Sequence, residues 1–275
     1  AEKSIQPEKF IGIHFFSPVH KMKLVEIIKG KKTNSSTLNK AVEFVRQISK
    51  VPIIVNDSSG FYTTRVFERY TAEGMALLAE GNSAERIEAA GKKAGFPIGP
   101  LAVIDEISIE LVEHIRGEMW NELKSEGKEL SSDPWGQVID LMIRKVKRTG
   151  RSGGGGFYEY PKNNNKFLWP DLKKYFPLSE NQLSEDEMID RFYFSQVIES
   201  IRCYEENVIT SVKDANVGSV LGWGFPSFKG GTLQFANDYG LINFRNRSQE
   251  LADKYGERFT PPKILNQMSE KGETF

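Results

Sequence analysis

His14-Phe-Phe-Ser-Pro-Val-His-Lys-Met-Lys-Leu-Val-Glu26-Ile-Ile sets a histidine and a carboxylate into two short apolar runs, Ile11 to Phe16 and Leu24 to Ile28, joined by a Ser-Pro turn. Runs of this length, rich in Ile, Val and Phe and bounded by Pro and Gly, predict buried strands. Successive strands usually lie side by side, which sets His14 opposite Glu26. A carboxylate among Leu24, Val25, Ile27 and Ile28 is costly to bury without a partner. A histidine oriented by such a carboxylate has what a general base near neutral pH requires. The same residues admit a plainer account: a core histidine with one satisfied hydrogen bond, and a strand glutamate turned to water. Spacing alone leaves both open.

Beyond the second run, Gly30-Lys-Lys-Thr-Asn-Ser-Ser is a polar turn. Ser35 or Ser36 is expected to cap a helix whose apolar positions Leu38, Val42, Val45 and Ile48 recur at helical spacing. Val51-Pro-Ile-Ile-Val55 then predicts another short strand. This alternation is the tail of a βαβ domain, the last strands and helix of a truncated Rossmann-type fold. No G-x-G-x-x-G follows a strand anywhere in the chain. The run Gly153 to Gly156 precedes Phe157-Tyr-Glu-Tyr rather than a helix, and is expected to be a flexible surface turn. The chain opens on Ala1-Glu-Lys-Ser without Met, and its first strand has no upstream partner, so a piece of a longer protein is expected.

From Phe61 onward the pattern is helical. Phe61 to Glu80 carries Val66, Tyr70, Met75, Leu77 and Leu78 on a broad apolar face. Ser83 is placed to cap a helix to about Ala94, Pro100 to start another, and Asp133-Pro134 to cap and start a third with Val138, Leu141, Met142 and Val146 on one side. Pro161 to Pro177 is an irregular connector whose rings, Phe167, Trp169, Tyr175 and Phe176, are expected to pack against the body. Ser184-Glu-Asp-Glu187 is a capping box opening a second helical block.

An internal repeat joins the two blocks. Arg65 to Glu80 lies on Arg191 to Glu206 without a gap, matching Arg65 with Arg191, Glu73 with Glu199 and Glu80 with Glu206. Gly95-Phe-Pro recurs as Gly224-Phe-Pro at a corresponding place. The expected architecture is mainly α, with two tandem copies of one helical unit behind the sheet remnant. The divisions fall at 1–56, 57–160, a connector at 161–184, and 185–275. A wide apolar helix face needs a partner, and a second copy in the same chain can stand in for a dimer mate.

The string His14-Phe-Phe-Ser-Pro-Val with Met22, Leu24, Val25 and Glu26 resembles the junction segment of the L-3-hydroxyacyl-CoA dehydrogenase family. The doubled helical unit is similar to the multifunctional fatty acid β-oxidation members, of the bacterial oxidation complex α-subunit type. The resemblance implies His14 as catalytic base, Glu26 as its partner, and Ser17 and Thr64 at substrate-contacting positions. At Ser17 the family pattern has Asn or, in some multifunctional members, Ser; at Thr64 it normally has Asn, and there a hydroxyl in place of an amide bears on activity or preference. It further implies an acyl-CoA thioester substrate, NAD as cofactor of the intact protein with none bound by this piece, and an enoyl-CoA hydratase domain upstream. A thiolase subunit as partner and a bacterial cytoplasmic rather than peroxisomal location complete what it implies. The other expectation is a helical association module without chemistry of its own.

Bulk properties point the same way. Lys plus Arg equals Asp plus Glu at 37 each, so no global field recruits nucleic acid or a membrane surface. No apolar run is long enough for a transmembrane segment. Cys203 is the single cysteine, which excludes a disulfide framework, and no cluster has metal-ligand spacing. His20, in the turn, and His114, beside Glu110 and Glu113, are expected at the surface. Lys21, Lys23, Lys31 and Lys32 are expected to be solvated.

Overall fold

The computed structural model describes residues 4–125, 127 and 134–275. In chain order its elements are β1 (Gly12–Phe15), β2 (Leu24–Lys29), α1 (Ser35–Gln47), β3 (Val51–Asn56), α2 (Thr63–Ala79), α3 (Ala84–Lys93), α4 (Pro100–Ile107), α5 (Ile109–Ser125) and α6 (Pro134–Asp140). There follow β4 (Tyr158–Glu159), β5 (Phe167–Leu168), α7 (Leu172–Tyr175), α8 (Glu185–Glu205), α9 (Val212–Trp223), α10 (Thr232–Tyr239), α11 (Leu241–Tyr255) and α12 (Lys263–Lys271). The chain is mainly helical, as its periodicity predicts. It divides into two compact units, 1–68 with 194–275, and 69–193.

The first unit is built on the sheet β1-β2-β3, with β1 antiparallel and β3 parallel to β2. Alternation sorts the side chains of β2. Val25 and Ile27 turn toward α1 and pack with Ala41 and Val45, with Ile11, Ile13, Phe15 and Leu38 around them. Asn34, rather than Ser35 or Ser36, caps α1: its side chain accepts from the Thr37 amide at 2.8 Å. The cap therefore lies one residue earlier than the serines imply, and both fall inside the helix.

The opposite face of β2 meets α9. An added Cβ on Gly218 would stand 2.9 Å from Ile53 Cδ1, and one on Gly222 would stand 2.9 Å from Leu24 Cδ2. Two glycines a helical turn apart thus let α9 lie directly on the sheet. The free edge of β3 is covered by the segment before α9. Asn56 donates its amide to Val208 O at 2.8 Å, Val55 bridges Ile209, and the Ile54 amide donates to Asp214 Oδ2 at 3.1 Å. An exposed strand edge is an aggregation hazard, and this one is paired.

In the second unit, α3 starts where Ser83 caps it, accepting from the Arg86 amide at 3.3 Å, and α4 starts at Pro100. Ser184 accepts from the Glu187 amide at 3.1 Å at the start of α8. α6 opens at Pro134, and Asp133 lies outside the described residues. The connector is more regular than its composition predicts: β5 pairs with β4, and Leu172 and Phe176 are buried.

The glycine run is corrected in its second half only, since Gly153 and Gly154 are exposed as expected. Gly155 and Gly156 are buried rather than parts of a flexible surface turn. Fully buried Asp105 accepts from the Phe157 and Tyr158 amides, each at 2.8 Å, and from Tyr160 Oη at 3.1 Å. Arg148 donates to Gly156 O at 2.7 Å and Tyr158 O at 3.0 Å. A side chain on Gly156 would collide with the Asp105 carboxylate, and one on Gly155 with Arg148. These glycines exist for close approach, not for mobility.

Two arrangements recur along the chain. Arg65 bonds Glu199 at 3.0 and 2.7 Å and Glu206 at 2.6 Å, while buried Arg191 pairs with Glu73 and Glu80. Glu88 of α3 accepts from the Leu101 amide at 2.8 Å and the Ala102 amide at 3.4 Å, at the start of α4. Asn216 of α9 accepts from the Leu233 and Gln234 amides at 2.9 and 3.1 Å, at the start of α10.

Burial raises the Asp105 carboxyl from its ordinary 3.8 to about 6, against the hydrogen bonds from Phe157, Tyr158 and Tyr160. Between those values the folded chain holds a proton that the unfolded chain has released. This group therefore favours folding more at pH 5 than at pH 8, and its contribution is lost as pH rises through about 6. Asp105→Asn is expected to flatten that slope in urea titrations at the two pH values. It should also lower stability at pH 7 by about 1–3 kcal/mol, because an amide nitrogen cannot accept from a backbone N–H.

Candidate functional site

The register of the first two strands brings the sequence's two candidates together. His14 pairs directly with Glu26 across β1 and β2, and directly opposed residues share a face. Their side chains meet, with His14 Nδ1 2.9 Å from Glu26 Oε2. Glu26 is fully buried, whereas the His14 side chain is 34% exposed. One end of the pair is therefore sealed in protein and the other reaches solvent. The rings of Phe16 and Phe61 stand 4.6 and 6.0 Å from the imidazole, centroid to centroid, and wall it in.

Glu26 sits between Leu24 and Ile28 with His14 as its polar strand neighbour, and its other partners come from the entrance to α2. Oε1 accepts from the amides of Tyr62 at 3.0 Å and Thr63 at 3.1 Å. Oε2 accepts from Thr63 Oγ1 at 2.7 Å as well as facing His14. The burial cost of an ionised carboxylate is met by four donors. Because the acid is acceptor-only, the nitrogen facing it carries the proton, which assigns the Nδ1–H tautomer to neutral His14 and leaves Nε2 as the basic atom.

Tyr62 fixes that entrance in place. Its phenol is fully buried and donates to Ala215 O at 3.0 Å, while Ser200 Oγ and Thr232 Oγ1 stand 2.9 and 3.1 Å away. Burial pushes the phenol well above its ordinary titration range, so it remains a neutral donor. One residue thus holds Glu26 with its backbone and α8, α9 and α10 with its side chain.

The remaining candidates fall elsewhere. Ser17 is exposed in the turn after β1. Thr64 is half-buried in the first turn of α2 and has no hydrogen bond to His14 or Glu26. His20 is exposed, and His114 pairs at the surface with Glu118 at 3.3 Å. Lys21, Lys23, Lys31 and Lys32 are exposed. Sequence reasoning missed Tyr62 and Thr63, whose neighbour Thr64 took the attention. It also missed Lys50, which donates to Val19 O at 2.7 Å and Met22 O at 2.6 Å and so ties down the turn between the strands. Among the described residues no group of three or more His, Cys, Asp or Glu is placed to hold a metal ion. No helix there is long and apolar enough to cross a membrane.

With this geometry in hand, comparison with known proteins is specific. The profile of 3-hydroxyacyl-CoA dehydrogenase, NAD binding domain, matches residues 1–58, and that of 3-hydroxyacyl-CoA dehydrogenase, C-terminal domain, matches residues 60–160. The fold is that of 3-hydroxybutyryl-CoA dehydrogenase from Escherichia coli: TM-score 0.78, 21% identity, 98% of this chain and 72% of that one. The dehydrogenase part of multifunctional enzyme 1 from C. elegans is 25% identical, with a TM-score of 0.69 over 97% of this chain and 61% of that one. (S)-3-hydroxybutyryl-CoA dehydrogenase from Ralstonia eutropha is 31% identical with a TM-score of 0.51, over 58% of this chain and 55% of that one.

Tyr62→Phe should leave the fold intact and lower its stability by about 1–3 kcal/mol, since Ala215 O, Ser200 and Thr232 lose a shared buried partner. Thermal melting of the two proteins side by side measures this, and an unchanged Tm would mean the phenol is not the anchor described.

Proposed function

Because this chain belongs to the 3-hydroxyacyl-CoA dehydrogenase family, we propose that it carries the proton-accepting half of that chemistry. The intact protein oxidises an L-3-hydroxyacyl-CoA to the 3-ketoacyl-CoA. The observation that carries the proposal is the buried Glu26 bound to Nδ1 of a histidine whose side chain is open to solvent. His14 Nε2 takes the proton of the C3 hydroxyl, and the imidazolium that forms lies against a carboxylate already in place. Phe16 and Phe61 exclude water from the ring's flanks. Ser17 and Thr64 contact substrate from the turn and from the entrance to α2.

NAD, held by the intact protein, is the hydride acceptor. The described residues offer no glycine-rich turn between a strand and a helix to hold its pyrophosphate. No residue of this chain is assigned to the cofactor, and none is expected to bind it alone. This chain spans 61% of the length of the C. elegans dehydrogenase part.

The multifunctional type is supported by the doubled pattern. Each arginine of the aligned pair, Arg65 and Arg191, meets the two glutamates matched to the other helix's sequence. The side chains of Glu88 and Asn216 each cap the helix that follows their own. Two copies of one unit, the second in place of a dimer mate, account for both. A multifunctional protein of this kind also hydrates 2-enoyl-CoA in a separate domain, works beside a thiolase subunit, and resides in the bacterial cytoplasm. Thr64, in place of the usual Asn, is what favours the alternative of a non-catalytic association module.

His14→Gln in the intact protein decides between these. The dehydrogenase proposal requires kcat for NADH formation from a 3-hydroxyacyl-CoA to fall by about a hundredfold or more. Unchanged turnover would leave the association module.

A further inference from the structure

We infer that Thr63 is a positioning residue of the His14–Glu26 pair, acting through the carboxylate rather than on substrate; the inference rests on the dehydrogenase proposal above. Glu26 has two oxygens with different duties. Oε1 is taken by two backbone amides, which any residues at positions 62 and 63 other than proline would supply. Oε2 is the oxygen that faces His14, and among the described residues the other group on it is the Thr63 hydroxyl, at 2.7 Å. A terminal carboxylate torsion is broad and roughly two-fold, so two donors on Oε1 alone leave Oε2 free to swing about that anchor. The hydroxyl supplies the second point that fixes the plane.

The surroundings show why the hydroxyl faces inward. Thr63 is the first residue of α2 and is 2% exposed. Its methyl packs toward α9, where an added Cβ on Gly222 would lie 3.6 Å from Thr63 Cγ2. The β-branch is thus wedged with its carbon on the helix and its oxygen on Glu26, and a branched side chain has few rotamers to lose. Fixing Oε2 fixes the direction of the Nδ1–H bond, and with it the direction in which Nε2 points out of the sealed end. A displacement of this kind at a proton-accepting atom acts on the rate of the chemical step and not on substrate affinity.

The test compares Thr63→Val, which keeps the shape and removes the hydroxyl, with Thr63→Ser, which keeps the hydroxyl, in the intact protein. Thr63→Val should lower kcat about tenfold with KM for the acyl-CoA held within about twofold, and Thr63→Ser should recover most of the loss. In this 275-residue chain, ring-15N NMR should show a protonated, slowly exchanging His14 Nδ1 that broadens in Thr63→Val and not in Thr63→Ser. Thr63→Ala replaces Thr63→Val if the latter does not fold. An unaltered kcat and an unaltered Nδ1–H signal in Thr63→Val, with His14→Gln inactive, would overturn the positioning role alone. Equal losses in Val and Ser variants would make Thr63 structural. Full activity in His14→Gln would remove the dehydrogenase proposal and this inference with it.

Discussion

A single buried carboxylate organises the first unit. Glu26 lies in the middle of β2 with Leu24, Val25, Ile27 and Ile28 around it, all shielded from water. An acid there is tolerated only if donors reach it, and four do: two amides and a hydroxyl from the entrance to α2, and an imidazole from β1. That requirement fixes the approach of α2 to the sheet. It also fixes the register of β1, since a shift of one residue would turn His14 to the α1 face and leave Glu26 short of a partner. The same contacts that make burial bearable also orient the imidazole of His14.

The constraint propagates through Tyr62. Its amide serves Glu26, while its phenol is enclosed by Ser200, Ala215 and Thr232, on three helices that lie far along the chain. Gly218 and Gly222 bring α9 close enough for this enclosure to form. The C-terminal helices of this unit therefore contribute to holding the pair through the Tyr62 phenol. The segment between α8 and α9 covers the β3 edge through Val208 and Ile209, and α9 does so through Asp214.

What was legible in the sequence was what is local or periodic. The two apolar runs and the intervening turn give the strand pair, while the register that opposes His14 to Glu26 is settled by the structure. Ser83, Pro100 and Ser184 mark helix starts because capping is decided within three or four residues. What was not legible depends on partners distant in sequence. Thr63 contacts a glutamate 37 positions away, and nothing in Tyr-Thr-Thr distinguishes the threonine that bonds the acid from the one beside it. The glycine run misled for a related reason: without knowledge of Asp105 and Arg148 packed against it, Gly155 and Gly156 look like freedom, whereas the structure uses them for contact.

Two helix-to-helix junctions of the chain are capped in the same way by different side chains. Where α3 passes to α4, the cap on the next helix is a glutamate whose carboxyl also accepts from Tyr158 Oη at 2.6 Å, and burial raises that carboxyl above its ordinary value. Where α9 passes to α10, the same place holds Asn216, neutral and bonded to the same two amide positions. A neutral cap meets the geometric demand of the helix terminus with less desolvation than a charged one. The first form makes sense where Tyr158, anchored in turn on Asp105, is present to share the charge. The second suffices where the helices serve to enclose Tyr62. The capping geometry is the same at both junctions, while the polar network built on it differs with the surroundings.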